Sequence, residues 1–338
     1  MSAHRIRKAF VTGATGFLGY EIARQLAAAG VEVRAATRGG ALPGELGALG
    51  VRTVRASLDD PAALAEAMRG VDTVLHVAAD VGMWRRRRAE SVRVNVDGTR
   101  HVAEAALAAG VERAVFTSSG STIGKPLDLP RRGDVPTVDE SSAYNLAALD
   151  MVYPHTKWLG EEEVWKAVRA GLGAVVTHPC AIFGPSDWKH NLLPLFRAPR
   201  TLLGLAVPEG YRTTCDVRDV AAAHLRAAER GRPGERYILG GECVSVRELF
   251  GRIAAATGGR APRFTLPAGL VVALGTALER LADATGKPPL LSREMAIQST
   301  LRVRLSSAKA ERELGYHSRP LEASLRDAVA WYRAQGLL

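Results

Sequence analysis

The sequence predicts a doubly wound α/β fold, a parallel sheet covered by helices on both faces, followed by a smaller and mainly helical lobe. Three observations carry that expectation. From Arg7 to about His178, short β-rich runs alternate with Ala- and Leu-rich stretches of helical spacing. The runs are nearly continuous in apolar residues, as strands buried on both faces have to be. Glycines stand where the intervening helices should stop, at Gly30, Gly70, Gly110 and Gly171.

Taken in order, the strands are expected at 8–12, 31–37, 51–56, 73–77, 114–118 and 174–178, with helices at 21–29, 62–69, 99–109 and 161–169 between them. A parallel sheet of this kind opens its ligand crevice at the carboxyl ends of its strands. After Pro179 the pattern loosens. Pro185, Pro194, Pro199 and Pro208 punctuate it, and helices return at 246–257, 266–284 and 321–335. The expected division is a sheet domain over 1–178 and a helical lobe over 179–338, some segments of which return to the sheet.

Composition narrows the classes. Of the 338 residues, 47% are hydrophobic and 24% charged, an ordinary globular balance. Cys180, Cys215 and Cys243 have no CxxC spacing, which excludes a disulfide framework and a thiolate zinc site. No apolar run reaches membrane-spanning length, and no secretory segment is visible, so the expected location is cytoplasmic. The net charge of +10 invites a nucleic-acid partner, but only seven of the 45 basic residues are Lys, a chain-wide Arg bias. The exception is Arg85-Arg86-Arg87-Arg88 after Trp84. It reads as a solvated face; its rival use is to meet an acidic carrier or a phosphate-bearing substrate. No zinc-finger pairing or RNA-binding consensus accompanies it, so no nucleic acid is expected.

Three motifs carry chemistry. Thr12-Gly13-Ala14-Thr15-Gly16-Phe17-Leu18-Gly19 joins the first strand to the first helix. Gly13 permits a tight turn, Gly16 lets backbone approach a pyrophosphate, and Gly19 lets helix pack on strand, with the N–H groups near Phe17 and Leu18 facing the anion. Tyr153 and Lys157, four residues apart, share one helix face, so an ammonium can stabilise a phenolate. Ser118-Ser119 follows the fifth strand, where a hydroxyl can reach a substrate oxygen. His76, His155 and His178 lie inside motifs but lack metal-ligand spacing and read as structural; no metal is expected.

Together these stretches resemble the extended short-chain dehydrogenase/reductase family. So do His76-Val77-Ala78-Ala79, Asn95-Val96-Asp97-Gly98-Thr99, Pro179-Cys180-Ala181-Ile182-Phe183-Gly184-Pro185 and the late Ser307 to Tyr316 segment. The likeness is strongest to its dihydroflavonol-reductase-like branch, which includes proteins named hopanoid-associated sugar epimerases. It implies a Rossmann domain in which Tyr153 is the general acid/base, Lys157 tunes it and binds the nicotinamide ribose, and Ser119 positions a carbonyl. It further implies that Val77, Ala78 and Ala79 line the dinucleotide and that Pro179, Ala181 and Ile182 line its nicotinamide. Where the family often has an adenine-side Asp, this chain has Ser57, followed by Leu58. Ile123-Gly124 replaces the Tyr-Gly of the sugar epimerases, and the 126–150 interval before Tyr153 is longer than theirs.

The function expected is an NADP(H)-dependent carbonyl reductase or alcohol dehydrogenase acting on a small-molecule ketone or aldehyde. NADP(H) is expected because the second strand ends in Arg38, with no carboxylate to pair with a ribose hydroxyl and a guanidinium to clasp a 2′-phosphate. The alternatives are a nucleotide-sugar epimerase that oxidises transiently and a non-catalytic dinucleotide sensor. Segments 81–84, 144–151 and 188–211 are the expected substrate pocket, apolar enough for an aromatic, lipid-like or polyketide carbonyl, with Lys189 and Arg212 as anion anchors. The resemblance implies a homodimer through the helices at 99–109 and 157–169.

Overall fold

Seven strands form one parallel sheet, seen in a computed structural model that describes residues 4–39, 41–126 and 134–338. They are β1 (Lys8–Thr12), β2 (Glu32–Thr37), β3 (Arg52–Arg55), β4 (Thr73–His76), β5 (Arg113–Thr117), β6 (Ala174–Pro179) and β7 (Arg236–Leu239). Their spatial order is β7-β6-β5-β4-β1-β2-β3, so the chain reverses its direction of winding between β1 and β4. The six expected strands are all present, within two residues of their expected ends.

Period-two alternation within these strands feeds two cores. Ala9 and Val11 of β1, with Leu75, Val115 and Val175, face a core built with Leu18, Ile22 and Leu26 of helix α1 (Phe17–Ala28) and, from far along the chain, with Val220, Ala223 and Ala227. Phe10, Val74, Ala114, Phe116 and Val176 face the other way. They pack against α2 (Pro61–Ala67), α3 (Gly98–Ala108) and α4 (Val152–Arg169) through Leu64, Val102, Ala106 and Val164. The sheet is thereby dry on both faces, which is why its strands read as apolar runs.

The later half is not a separate body. Helix α5 (Val217–Arg230) packs against α1, and β7 extends the sheet beside β6. Both lie beyond position 179, where an expected division of the chain falls, and both are segments that return to the sheet. The remaining helices include α6 (Val246–Thr257), α7 (Ala268–Thr285), α8 (Arg293–Thr300) and α9 (Leu321–Ala334). Phe183, Phe196, Leu249, Ile253, Leu325 and Tyr332 form their own apolar core. No helix among the described residues is long and apolar enough to cross a membrane. Positions 127–133, inside the long interval before Tyr153, lie outside the described residues.

Candidate active site

Outside the carboxyl ends of β1 and β4 the chain leaves a crevice of about 660 Å³. The turn after β1 explains its near wall. Gly13 sits at φ 76°, a left-handed conformation that glycine enters freely. A Cβ there would stand 2.8 Å from the Ala78 amide nitrogen, and one on Gly19 would stand 2.2 Å from the Gly13 carbonyl oxygen. Thr12 ties this turn to the segment just past β4, its Oγ1 accepting the N–H groups of Val77 and Ala78, each at 3.1 Å. The same hydroxyl meets Nδ1 of His76 at 2.8 Å; burial lowers the pKa of that imidazole to about 3, so it is neutral and structural. Helix α1 starts after Gly16 with no side-chain cap, leaving first-turn N–H groups for an anion.

Thr15, Gly16, Phe17, Leu18, Arg38, Ser57, Leu58, Val77, Ala78, Ala79, Pro179 and Ile182 all line the crevice with Gly13 and Gly19. Ala181 does not. It lies in the short strand Ala181–Phe183, paired with Thr214, and packs on the later core, on the face opposite to Ile182. Arg38 is exposed and has no ion-pair partner among the described residues.

Ser119, Tyr153 and Lys157 meet on the far wall. Ser119 accepts hydrogen bonds from the N–H and the hydroxyl of Ser121, at 3.1 and 2.9 Å, which leaves its own proton for the Tyr153 phenol. Lys157 Nζ donates to the Thr117 carbonyl at 2.7 Å. The phenol does not carry the lowered pKa expected from this ammonium. Burial raises the Tyr153 pKa, the Ser119 hydrogen bond opposes it, and Glu294 adds to the rise. The ammonium is engaged by a backbone carbonyl, and burial lowers its own pKa to about 8 against the pull of Glu161.

The arginine block also departs from a free cationic face. Arg85 bonds Asp283 at 2.5 Å, Arg86 the Asp283 carbonyl, Arg87 Asp80 at 2.8 Å and Arg88 Asp150 at 2.5 Å. Each guanidinium is half-exposed yet committed within the chain, so the block fastens three segments at the crevice mouth and offers no open anion patch. Arg212, expected as an anion anchor, donates instead to the carbonyls of Tyr211 and Gln298, and burial lowers its pKa to about 10. Lys189 does line the crevice.

Several participants escaped the sequence reading. The carboxylate missing at Ser57 stands two residues on at Asp59, which lines the crevice, accepts from Ser57 at 3.3 Å and pairs with Arg93. Ser121 orients Ser119, and a serine two places along in a Ser/Thr turn is a signal the sequence did offer. Asn95 brackets Asp80, bonding its N–H at 2.8 Å and its carbonyl at 2.9 Å, and reaches Thr156 on the Tyr153 helix at 3.1 Å.

The profile of the family described as "NAD dependent epimerase/dehydratase family" matches residues 9–240. The chain is 33% identical over 333 residues to a putative dihydroflavonol 4-reductase of Synechocystis, covering 97% of this chain and 95% of that one. It is 34% identical over 331 residues to 4-hydroxy-2-methyl-3-oxo-4-farnesyl-3,4-dihydroquinoline-1-oxide ketoreductase of Stigmatella aurantiaca, covering 95% of each. Among solved structures, PA4631 of Pseudomonas aeruginosa, titled a nucleoside-diphosphate-sugar epimerase, superposes with a TM-score of 0.78 at 28% identity, over 98% of this chain and 99% of that one.

Proposed function

The chain belongs to the NAD-dependent epimerase/dehydratase family, and from that premise we propose that it is an NADP(H)-dependent carbonyl reductase. The observation that carries the reading is the convergence of Ser119, Tyr153 and Lys157 at one end of a crevice whose other end presents the exposed Arg38. The wall fits a dinucleotide, since a side chain at Gly13 or Gly19 would collide with backbone and the first turn of α1 is uncapped. When bound, NADPH supplies a hydride to the carbonyl carbon.

The chain's own residues do the rest. Ser119, fixed by Ser121, turns its proton from the phenol to the bound carbonyl oxygen, and Tyr153 donates its own proton to that oxygen as negative charge develops there. Burial keeps the phenol protonated near neutrality, the form that reduction consumes. Lys157, held by the Thr117 carbonyl, supplies the nearby positive charge and meets the cofactor's ribose. Arg38 clasps a 2′-phosphate through charge-assisted hydrogen bonds. The substrate is an apolar carbonyl compound, a class consistent with the ketoreductase relative's name.

A second reading, nucleotide-sugar epimerisation, is favoured by the likeness to the Pseudomonas protein and by Lys189 in the crevice. One experiment separates the two. The purified protein is checked for bound dinucleotide, and the absorbance of added NADPH is followed with aromatic and aliphatic aldehydes and ketones. The reductase consumes NADPH and purifies largely without it. Retained cofactor, no consumption, and interconversion of a nucleotide sugar would establish the epimerase instead.

A further inference from the structure

The helix that carries Tyr153 and Lys157 begins without a cap from its own neighbourhood, because the residue before it is the apolar Met151. Its first-turn N–H groups are met from the far end of the chain. Glu294, near the start of α8 and only 5% exposed, accepts the Val152 N–H at 2.6 Å and the Tyr153 N–H at 3.2 and 3.3 Å. Gln298, one turn along α8, donates to the same carboxylate at 3.0 Å. Leu146, Met151 and Ile297 close an apolar seam around these bonds. No cation stands within ion-pair distance of Glu294 among the described residues. Beside the carboxylate lies a second cavity of about 270 Å³.

We propose that Glu294 is a positioning residue for the reaction, clamping the first turn of the Tyr153 helix to the C-terminal helices. The inference rests on the carbonyl-reductase reading. One of the N–H groups it holds belongs to Tyr153 itself, so the reach of the phenol toward Ser119 is fixed from the C-terminal side. The positive end of α4 offsets part of the cost of burying an unpaired carboxylate there. The negative charge also acts on the phenol, adding to burial in keeping it protonated. Burial pushes the Glu294 carboxyl itself up to about 7, against its hydrogen bonds and with help from Glu279, so the clamp changes charge near neutral pH. The charged and titratable groups around it are Glu279 and Arg280 of α7, Arg293 of its own helix, Arg85, Asp150 and Tyr144 of the neighbouring loops, and Tyr153.

The test compares full-length wild type with Glu294→Gln, which keeps shape and one acceptor but removes the charge, and Glu294→Asp, which keeps the charge but shortens the reach. Rates of NADPH-dependent reduction and of the reverse alcohol oxidation are measured across pH, with thermal melting as the folding control. In oxidation, where the phenol must lose its proton, the Glu294→Gln profile should move to lower pH by at least about half a unit. Its NADPH affinity should stay within about twofold, while Glu294→Asp keeps the wild-type inflection at a rate lowered about tenfold. A Glu294→Gln profile that superimposes on the wild type overturns the clamp. If wild type reduces no carbonyl, the reductase reading fails, and the clamp is then read without turnover. The Tyr153 phenol is titrated by ultraviolet difference against Tyr153→Phe, where an unshifted titration in Glu294→Gln overturns it.

Discussion

The crevice wall at the glycine turn and the region beyond Tyr153 are built on different length scales. The wall at the glycine turn is mostly one local run, Gly13 to Gly19 after β1, tied by a single side chain, Thr12, to the backbone of Val77 and Ala78 just past β4. The region beyond Tyr153, around the second cavity, is gathered from 83–88, 144–153 and 276–298, held by Arg85 to Asp283, Arg88 to Asp150 and Glu294 to the start of α4. A wall made of local backbone geometry fixes a common ligand in one way. A region held by long-range side-chain bonds is free to differ between relatives that share the first. The difference also makes the two separable by mutation: damage to the near wall should read out in cofactor affinity, damage to the far region in turnover or in stability.

The largest separation is expected at Tyr153. Tyr153→Phe should lower kcat by about 100-fold or more while the NADPH dissociation constant barely moves, because only the proton donor is lost. Lys157→Ala should harm both rate and affinity, since that ammonium serves both the reaction and the ribose. Tyr153→Phe retaining more than about a tenth of the wild-type rate removes the general-acid assignment.

At the near wall, Arg38→Ala should weaken NADPH binding by about 10- to 100-fold, the loss of a contact worth roughly 1.5–3 kcal/mol, and leave NADH binding unchanged. Isothermal titration of both proteins with both cofactors measures it. Equal affinity of the wild type for NADH and NADPH contradicts the role given to Arg38.

The smallest signal is a shift of a few degrees in melting temperature. The Glu294 carboxyl titrates at about 7 in the folded chain against a usual 4.5, so between those values the folded state binds more protons than the unfolded one. Stability is therefore lost as pH rises through that window, by about 3 kcal/mol at most. Glu294→Gln, which never ionises, should melt a few degrees above wild type near about pH 8 and close to it near about pH 5. Melting curves at the two pH values check it, and an equal gap at both contradicts the buried-charge account.

The same difference in length scale decided what could be read from the sequence. The strands and the glycine turn were legible because period-two burial and glycine placement are local signals. Tyr153 and Lys157 were legible because four residues on a helix bring side chains together. β7 was harder, since Arg236 to Leu239 looks like many short apolar runs and only its place beside β6 makes it a sheet strand. Ala181 stands one step of strand alternation away from the crevice-facing Ile182, a difference its motif does not carry. The phenol's environment was misjudged because the spacing of Tyr153 and Lys157 says nothing of the Thr117 carbonyl that engages the ammonium, nor of Glu294, which lies 141 residues from Tyr153. The ion pairs of the four arginines were not legible because their acidic partners Asp80, Asp150 and Asp283 are scattered along the chain.

The central claim is that the crevice passes a hydride from NADPH to a substrate carbonyl in net reduction. It is tested most directly by supplying NADPH deuterated at the transferable position, with a substrate from the carbonyl panel, and analysing the products by mass spectrometry. The account predicts a single deuterium on the carbinol carbon of the product, with stoichiometric NADP⁺, and the same labelled product formed about 100-fold or more slowly by Tyr153→Phe. Products free of deuterium, alongside a nucleotide sugar inverted at one carbon with its own hydrogen returned, would contradict it.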